Sequence, residues 1–252
     1  MKKEDRCKLI RKKILFLSQK VKALHIGGSF SSVELIERIF FKFKKKNDVF
    51  ILSKGHAGVL LYTILNIMGK LSDKQYYSYC TKYGNLGVHP DIGKFGISAS
   101  TGSLGHGLGM AAGIALANQK TNKKIFVLMS DGELQEGSVW EIALFISSKK
   151  LNNIILVIDN NNLQSSTKAT DTHPTLYPIS KKFESFGWSS KVCNGHDIKE
   201  IEKKIKLKSN KPLVLIGKTI KGYPVSFMKN KPQWHYRSPN KIEFAKAMKE
   251  LS

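Results

Sequence analysis

Three oxygen-bearing groups in two separate turns of the chain have the chemistry of a metal site. Asp131 lies in the segment Ser130-Asp131-Gly132-Glu133, and Asn161 and Leu163 lie in an asparagine-rich segment further along the chain. Carboxylate, side-chain amide and backbone carbonyl oxygens suit Mg²⁺ or Ca²⁺, and such sites keep positions open for phosphate oxygens and water. The pattern predicts a metal–diphosphate anchor made by Asp131, Asn161 and the Leu163 carbonyl. Asp-Gly and Asn-rich turns are also ordinary loop sequences, so the turns alone leave that simpler interpretation open.

The elements around these turns predict that they meet in space. An apolar run at 125–129 precedes the first turn and another at 154–158 precedes the second, and both favour buried strands. Residues 139–150 between them favour a helix with an apolar face. A strand–helix–strand unit brings the carboxyl ends of two parallel strands side by side, where α/β folds bind ligands. We therefore expect Asp131 and Asn161 to share one crevice.

The rest of the chain continues the alternation of helices and strands. Further helices are predicted at 5–24, 32–41, 57–68, 107–119, 183–187 and 198–206, and further strands at 48–52, 191–193 and 212–217. The segment Gly27-Gly28-Ser29 is predicted to be a break before the second helix. Such alternation is typical of the α/β class, with a doubly wound, mostly parallel sheet flanked by helices. No repeat or low-complexity linker interrupts the chain, so a single domain over residues 1–252 is the simplest organisation.

Composition narrows the class of protein. Hydrophobic residues make up 41% of the 252, enough for a substantial core, and no stretch approaches about 18 uninterrupted apolar residues, so no membrane span is expected. Three cysteines without metal-ligand spacing, and a charged N-terminus without an apolar signal core, favour the cytoplasm. The net charge of +23 comes from 38 lysines and only four arginines spread along the chain. Arginine is the residue favoured for contacts to bases and phosphates, and it is scarce here, so we expect no nucleic-acid partner. The positive charge still favours binding of anionic sugar phosphates.

A glycine-rich segment and five histidines are further candidate site residues. Residues 100–109 contain four glycines and run into a helix, so that backbone N–H groups can approach an anionic ligand; tight helix packing would explain the glycines equally well. The histidines stand in loops or at helix starts, where a capping role is the simpler alternative for His56. No pair has the spacing of a metal site, and loop histidines suit proton transfer and hydrogen bonds to hydroxyls and phosphates. They are His25, His56, His89, His106 and His235.

The turn at Asp131 resembles the thiamine diphosphate motif, which begins Gly-Asp-Gly and ends in Asn, with Ser130 at the first glycine position. Over nearly its whole length the chain resembles the N-terminal subunit of a split transketolase, the thiamine-diphosphate-binding half of that enzyme. The segments that carry this resemblance are Leu24–Ser31, Leu52–Ala57, Gly87–Pro90, Thr101–Gly107, Asp131–Glu141, Gly217–Gly222 and Trp234–His235. The fold implied is the diphosphate-binding domain of thiamine diphosphate enzymes.

The resemblance implies a role for individual residues. Asp131, Asn161 and the Leu163 carbonyl would hold Mg²⁺, for which Ca²⁺ or Mn²⁺ can substitute, and this metal would clamp the diphosphate of thiamine diphosphate. The residues implied to contact the cofactor are His56, Gly102, Ser103, Leu104, Asp131, Gly132, Glu133, Asn161 and His235. The implied catalytic histidines, which line the substrate funnel and assist proton transfers, are His25, His89 and His235. Glu136 would couple two active sites across a dimer, or would be a helix N-terminal carboxylate that complements the helix dipole.

The implied activity is that of a transketolase-type transferase, which moves a two-carbon ketol unit from a ketose or its phosphate to an aldose or its phosphate. The pyrimidine-binding and C-terminal domains are expected on a separate C-terminal subunit, in an α₂β₂ assembly, because no second α/β domain follows in this chain. Three departures from the family pattern leave substrate preference and interface detail open: Ser130, Ser147-Ser148 and Gln164–Thr167.

Other functions remain as alternatives. One is a subunit of a specialised sugar-biosynthetic thiamine diphosphate enzyme whose substrate is not a pentose phosphate, and another is a non-catalytic remnant that binds a partner. The α-subunit of a 2-oxoacid dehydrogenase and a deoxyxylulose synthase agree less well with the segments His25–Gly28 and Trp234-His235. A basic nucleic-acid-binding protein is the alternative outside the enzymes, and it predicts steep salt dependence and indifference to Mg²⁺ and thiamine diphosphate.

Overall fold

A five-stranded parallel sheet forms the centre of the protein. The computed structural model describes residues 2–205 and 208–252. The sheet has the order β1-β2-β3-β7-β6, and its strands are β1 (Val49–Leu52), β2 (Ile125–Ser130), β3 (Ile154–Asn160), β6 (Ser189–Asn194) and β7 (Leu213–Lys218). A separate antiparallel hairpin pairs β4 (Leu163–Gln164) with β5 (Thr167–Lys168). The predicted strands of the central sheet are confirmed, with ends that differ by a few residues.

Helices cover both faces of this sheet. Alternate side chains of a strand point to opposite faces; in β2, Phe126 and Leu128 enter one apolar cluster, whereas Val127 and Met129 enter another. The first cluster includes side chains of α1 (Lys3–Ser18), α2 (Ile26–Ser31), α3 (Val33–Arg38), α4 (Gly58–Ile67), α10 (Ile198–Lys204) and α11 (Lys241–Glu250), and the second those of α6 (His106–Ala117), α7 (Gly137–Ser148) and α9 (Ile179–Ser185). Two short helices complete the set, α5 (Asp73–Tyr77) and α8 (Ala169–Thr172). The prediction of a doubly wound α/β fold is confirmed.

Some helix boundaries differ from the predictions. Helix α1 ends at Ser18 rather than near residue 24, and the predicted helix 32–41 is α3 followed by a wider helical turn, Ile39–Phe43. Helix α10 ends at Lys204; Lys206, the predicted end, lies outside the described residues. None of the helices in the two described ranges is long and apolar enough to cross a membrane.

The predicted break at Gly27-Gly28-Ser29 is wrong, because these residues belong to α2. Gly27 lies against the segment that carries Trp234: a Cβ atom at Gly27 would stand 2.7 Å from the carbonyl oxygen of that tryptophan. Tertiary packing, with Ile26 and Phe30 fully buried, outweighs the low helix propensity of glycine. The glycine therefore permits a close approach between two segments of the site.

The register of β2 and β3 brings the two predicted turns together. Ser130 is paired with Asp159 in the ladder, and the N–H of Asp131 donates to the carbonyl oxygen of Asp159 at 3.2 Å. The turns that follow these strands therefore open at the same edge of the sheet, as predicted.

Candidate active site at the carboxyl edge of the sheet

A cavity of about 460 Å³ lies at this edge. The residues predicted from the sequence that line it are His25, His56, Gly102, Leu104, Gly132, Glu136, Asn161, Leu163 and His235. Lys54 and Lys221 also line it, although the sequence pattern predicted no role for them. Asp131 and Glu133 flank the lining residue Gly132 and are almost fully buried, at 1% and 0% exposure. The structure thus gathers most of the predicted site residues around one cavity.

Asp131 is a buried carboxylate with spare acceptor capacity. Its Oδ1 accepts a hydrogen bond from the N–H of Gly132 at 2.9 Å, and its Oδ2 accepts one from the N–H of Asn162 at 2.5 Å. A carboxylate has about four lone-pair positions, so two backbone donors leave room for a cation. Burial first, and the charge of Asp159 second, raise the pKa of Asp131 to about 7. The metal-free site therefore holds a carboxylate whose negative charge is poorly compensated.

Asn161 and Leu163 lie in the loop that Asn162 ties to Asp131. The side-chain oxygen of Asn161 accepts from the N–H of Leu163 at 3.0 Å, and its amide nitrogen donates to Oδ2 of Asp159 at 3.1 Å. Asn162 has a positive φ of 60°, a left-handed conformation that asparagine tolerates better than most residues. The tight turn therefore holds the Asn161 amide in a fixed orientation beside the Asp131 turn.

A buried ion pair between Lys54 and Asp159 stabilises this loop. Asp159 accepts hydrogen bonds from the Nζ of Lys54 at 2.6 Å and from four further donors, which are Ser31 Oγ, Ser32 Oγ, Asn161 Nδ2 and Thr219 Oγ1. Lys54 also donates to the carbonyl oxygen of Gly28 and to Ser32 Oγ, each at 2.9 Å. Burial would raise the pKa of Asp159, but the Lys54 charge and these hydrogen bonds lower it to about 2. Asp159 is therefore ionised at neutral pH, and both members of the pair have their hydrogen bonds satisfied within the protein.

Three histidines form a cluster in the lining of the cavity. The ring centroid of His25 lies 5.2 Å from those of both His56 and His235, and the latter two are 5.9 Å apart. Burial lowers the pKa of His25 and of His235 to about 4, and it places that of His56 well below its ordinary value. Positive charge on Lys54 and Lys221 adds to the effect in all three. All three imidazoles are therefore neutral near pH 7 and can accept or donate hydrogen bonds.

Lys221 fixes the state of one of these histidines. Its Nζ lies 3.0 Å from Nδ1 of His235 and donates to the carbonyl oxygen of Ser165 at 3.3 Å. Because an ammonium group only donates, Nδ1 of His235 accepts, and the imidazole proton sits on Nε2. Burial, followed by repulsion from Lys54, lowers the pKa of Lys221 to about 8. Among the described residues no carboxylate forms an ion pair with Lys221, which leaves this buried amine suited to an anion in the cavity.

Glu133 lies behind the glycine-rich turn rather than in the cavity lining. Its Oε1 accepts from Ser53 Oγ at 2.5 Å and from the N–H of Gly105 at 2.9 Å, so it joins the ends of β1 and β2 to the start of α6. Gly105 has φ +83° and Gly107 packs directly on Ser53, which explains both glycines by backbone geometry. Burial raises the pKa of Glu133, and its Oε2 has no hydrogen-bond partner among the described residues.

Four predicted residues lie at the edge of the site or outside it. His89 is exposed but stands beside Gly102, where a Cβ atom would be 3.3 Å from the imidazole. Ser103 and His106 are exposed and are not part of the cavity lining. Glu136 lines the cavity, is exposed in this chain, and occupies the N-cap position of α7 without a side-chain capping bond. Of its two predicted roles, a carboxylate at the helix N-terminus agrees with this position.

The residues around Asp131 match the chemistry of a divalent metal held jointly with a diphosphate. In residues 2–205 and 208–252 no group of three or more His, Cys, Asp or Glu side chains could hold a metal by itself. Asp131, Asn161 and the Leu163 carbonyl offer only oxygen ligands, so phosphate oxygens and water would have to complete the shell of a hard cation. The poorly compensated charge of Asp131 and the unpaired amine of Lys221 favour a ligand that carries both a metal cation and an anion.

Sequence reasoning missed Lys54, Asp159 and Lys221. Asp159 was present in the segment that predicted the metal loop, and both lysines stood in segments that carried the family resemblance. A buried lysine cannot be recognised in a chain with 38 of them, because its partners come from distant segments. The residue pair Lys54–Asp159 spans 105 positions.

Comparisons with known proteins agree with this geometry. The sequence model of the family described as transketolase, thiamine diphosphate binding domain, matches residues 8–251. The chain is 35% identical to one subunit of the apulose-4-phosphate transketolase of Actinobacillus succinogenes, across 98% of this chain and 95% of that protein. It is 34% identical to the protein of the same name from Phocaeicola vulgatus, across 96% and 91%.

Solved structures give the same result. The transketolase of Campylobacter jejuni superposes with a TM-score of 0.91 at 26% identity, and it covers 99% of this chain. This chain in turn covers 42% of that transketolase, so it corresponds to less than half of the larger protein. The family model spans almost the whole sequence, and two relatives above 30% identity match it nearly from end to end. The resemblance seen in the sequence is confirmed, and the chain belongs to the transketolase family, in which it is a thiamine diphosphate binding domain.

Proposed function

We propose that this protein is the cofactor-binding N-terminal subunit of a transketolase-type transferase, which moves a two-carbon ketol unit from a ketose to an aldose. Asp131 is the single observation that carries the proposal: an almost fully buried carboxylate that has two backbone donors and, among the described residues, no cationic partner, beside a cavity lined by neutral histidines. Bound thiamine diphosphate supplies the carbanion chemistry of the transfer. The chain's residues bind it, orient the sugar and hold protons.

Four residues around the cavity would hold the metal and the diphosphate. Asp131, Asn161 and the Leu163 carbonyl would hold Mg²⁺, whose positive charge would compensate the buried carboxylate. Lys221 pairs with the diphosphate, since its amine is buried and forms no ion pair in the described part of the chain. His56, Gly102 and Leu104 line the same cavity. His56 and the Gly102–Leu104 turn would contact the diphosphate and aminopyrimidine regions of the cofactor, as the resemblance implies.

The histidine cluster binds the sugar and exchanges protons with its hydroxyl groups. His235 carries its proton on Nε2 because Nδ1 accepts from Lys221, so it presents a donor to a substrate oxygen. His25 has a buried Nδ1 without a partner among the described residues, and its lowered pKa keeps the ring neutral near pH 7. Neutral imidazoles can accept a proton from a sugar hydroxyl and return it, which is the role required during ketol transfer. His89 at the rim completes the proposed catalytic set.

A separate chain supplies the remaining domains. The relatives that this chain matches over more than nine-tenths of their length are each named as one lettered subunit of a transketolase, which supports a second kind of subunit. We propose an α₂β₂ assembly with the cavity at the contact between the two kinds of subunit, and residues 1–252 as one domain. The exposed Glu136 at the cavity edge would then contact the neighbouring subunit. All three cysteines are free thiols, which agrees with a cytoplasmic location.

The test is to reconstitute the enzyme. The chain is mixed with a candidate C-terminal transketolase subunit, thiamine diphosphate and Mg²⁺, and transfer from xylulose 5-phosphate to ribose 5-phosphate is followed. Activity only in the complete mixture supports the proposal. A complex that assembles and binds the cofactor but transfers no ketol unit, to these or to other aldoses, would contradict it.

A second candidate concerns the substrate alone. The two relatives that this chain matches over more than nine-tenths of their length are both named for apulose 4-phosphate. This favours a specialised ketose phosphate as donor or product. The same assay with apulose 4-phosphate in place of xylulose 5-phosphate decides between the two: a higher kcat/KM with one of them identifies the preferred class.

A further inference from the structure

Tyr236 combines a well-anchored backbone with an exposed aromatic ring. The residue is 53% exposed, while its near neighbour Trp234 is fully buried and donates its indole N–H to the Phe227 carbonyl at 3.1 Å. On the other side, the guanidinium of Arg237 lies 4.1 Å from the Trp234 ring and donates to Glu243 at 2.6 Å. The segment is therefore held at both ends, and the exposure of Tyr236 does not follow from a loose loop.

The same anchoring places Tyr236 beside His25, a histidine of the cavity lining. The N–H of Arg237 donates to the Leu24 carbonyl at 3.1 Å, so that residues 236–237 run beside residues 24–25. The Tyr236 and His25 rings consequently pack with centroids 4.5 Å apart and planes tilted by 39°. His25 lines the cavity, and His235 precedes Tyr236 directly in the chain. The tyrosine ring therefore packs on a histidine of the cavity lining, and about half of the residue remains exposed next to it.

We propose that Tyr236 is a specificity-determining residue that forms an aromatic wall for the carbon chain of the sugar, beyond the carbons that react. This inference rests on the proposed ketol-transfer function. A sugar chain carries C–H groups that pack well on an aromatic face, and the tyrosine hydroxyl can meet its hydroxyl groups. Ligand sites combine apolar surfaces of this kind with a few placed polar groups, and here the neighbouring histidines are the polar groups.

The contact predicts a specific kinetic pattern. Packing of the sugar tail on Tyr236 is the same before and during reaction, because the tail does not change its bonds. Removal of the ring should therefore raise KM with little change in kcat. The effect should depend on acceptor length: a five-carbon aldose phosphate has carbons that reach the ring, whereas glycolaldehyde, with two carbons, has none. We expect a KM for ribose 5-phosphate about tenfold higher, from the usual worth of an aromatic contact, and an unchanged KM for glycolaldehyde.

The experiment uses the assembled enzyme with Mg²⁺ and thiamine diphosphate. Tyr236→Ala is compared with Tyr236→Phe, which keeps the ring, and with Tyr83→Ala, which removes an 88% exposed tyrosine that makes no ring contact with the cavity histidines. Kinetics with ribose 5-phosphate and with glycolaldehyde are measured, together with sedimentation of the complex and a titration of thiamine diphosphate. The proposal requires that only Tyr236→Ala raises the KM for ribose 5-phosphate, with sedimentation and cofactor affinity unchanged.

Two results with Tyr236→Ala would overturn the inference alone. One is a ratio of the KM values for the two acceptors that is the same as in the wild type. The other is a failure of the variant chain to assemble with its partner, which would make Tyr236 an interface residue. A wild-type complex that transfers no ketol unit to either acceptor would instead overturn the proposed function, and the inference with it. The wild-type control therefore separates the two failures.

Discussion

Asp131 and Asp159 lie at the ends of neighbouring parallel strands, and both carboxylates are almost completely buried, at 1% and 0% exposure. Asp159 is surrounded by five donors, one of them the ammonium of Lys54, and its pKa falls to about 2. Asp131 has two backbone donors, and its pKa rises to about 7, with burial the larger cause and Asp159 the second. Two residues of one type, on adjacent strands of the sheet, therefore have opposite electrostatic states.

This difference distinguishes a carboxylate that stabilises the fold from one that is available to a ligand. A buried charge that its own chain satisfies contributes to the folded structure, and its removal leaves the partner charge unpaired. A buried charge that its own chain leaves poorly compensated is costly in the free protein, and that cost is relieved when a cation binds. Perturbed pKa values of the second kind are found preferentially at functional sites. The comparison therefore supports the proposed metal role of Asp131, and it places Asp159 in the scaffold that orients Asn161.

Substitution of Asp131 gives the largest expected effect. Asp131→Ala should lower the activity of the assembled enzyme by a factor on the order of 10³ or more, since a metal supplies several kcal/mol of charge stabilisation. Mg²⁺ with thiamine diphosphate should raise the melting temperature of the wild-type complex but not that of the variant. Asp171→Ala, at an exposed acidic residue of the same region, is the control and should behave as wild type. Full activity of Asp131→Ala would refute the metal role.

Substitution of Asp159 should show the reverse pattern, with stability affected first. Asp159→Asn leaves Lys54 charged and buried without a counter-ion, and the free energy of unfolding of the cofactor-free chain should fall by about 3–5 kcal/mol. Thr219→Val removes one neutral donor to the same carboxylate and should cost only about 1 kcal/mol. Urea denaturation without metal or cofactor measures both. A loss below about 1 kcal/mol in Asp159→Asn would mean that the ion pair does not support the loop.

The two buried lysines repeat the contrast between the aspartates. Lys54 uses its three protons on Asp159, Ser32 and Gly28, whereas Lys221 has only a carbonyl oxygen and an imidazole nitrogen as partners among the described residues. Lys54 therefore belongs to the scaffold, and Lys221 is available to an anion.

The difference between the two lysines can be tested by measuring the proton uptake that accompanies diphosphate binding. With a pKa of about 8, Lys221 is partly neutral at pH 8.5, and a bound diphosphate should raise that pKa, so that binding takes up protons. Titration calorimetry with inorganic diphosphate and Mg²⁺ in buffers of different ionisation enthalpy measures the uptake. It should be largest near pH 8.5–9 and small at pH 7, where Lys221 is already charged. In this window affinity should fall as pH rises.

Lys221→Met should abolish the uptake, while Lys218→Met, at an exposed lysine nearby, should retain it. In the cofactor-free protein the Lys221 pKa has the opposite effect on folding stability, which increases with pH. The folded state binds fewer protons than the unfolded state between the lowered pKa and the ordinary value of 10.5, so Lys221 makes stability rise with pH there. Uptake that persists in Lys221→Met would show that another group responds to the diphosphate.

The parts of the molecule that sequence predicts well are those set by local patterns. The strands at 125–129 and 154–158 are continuous apolar runs, because both faces of a parallel sheet are covered. The turn residues after them follow directly, so the sequence pattern alone was enough to place Asp131 and Asn161 at one edge of the sheet. The helix predicted at 107–119 agrees with α6 to within two residues at each end, because its sequence pattern is also local.

The parts that sequence reasoning missed depend on contacts between distant segments. Gly27 and Gly28 lower helix propensity locally, yet both lie in a helix that packs closely on distant segments, Gly27 on Trp234 and Gly28 on Lys54 and His56. The state of Asp159 depends on Lys54, Ser31, Ser32 and Thr219, which come from three other segments of the chain. No local pattern distinguishes the satisfied carboxylate from the unsatisfied one. That distinction, which carries the function, emerges only when the donors around each group are known.

Ser130, which stands where the family motif has its first glycine, should have the smallest effect. It is the last residue of β2 and is not among the residues with positive φ, so its backbone does not require glycine. Ser130→Gly should lower the unfolding free energy by about 0.5–1 kcal/mol, the cost of glycine in a strand. The affinity of the assembled enzyme for thiamine diphosphate with Mg²⁺ should change by less than about twofold.

Ser130→Ala separates the hydroxyl from the backbone effect, since it removes the oxygen of a residue that lines the cavity and keeps the Cβ atom. A tenfold gain in cofactor affinity in both variants would show that the hydroxyl obstructs the diphosphate, and the site would then be an attenuated one. A gain in Ser130→Gly alone would point to the Cβ atom. Unchanged affinity in both would mean that the donors around Asp131, rather than the residue before it, determine how well the cofactor and the proposed metal bind.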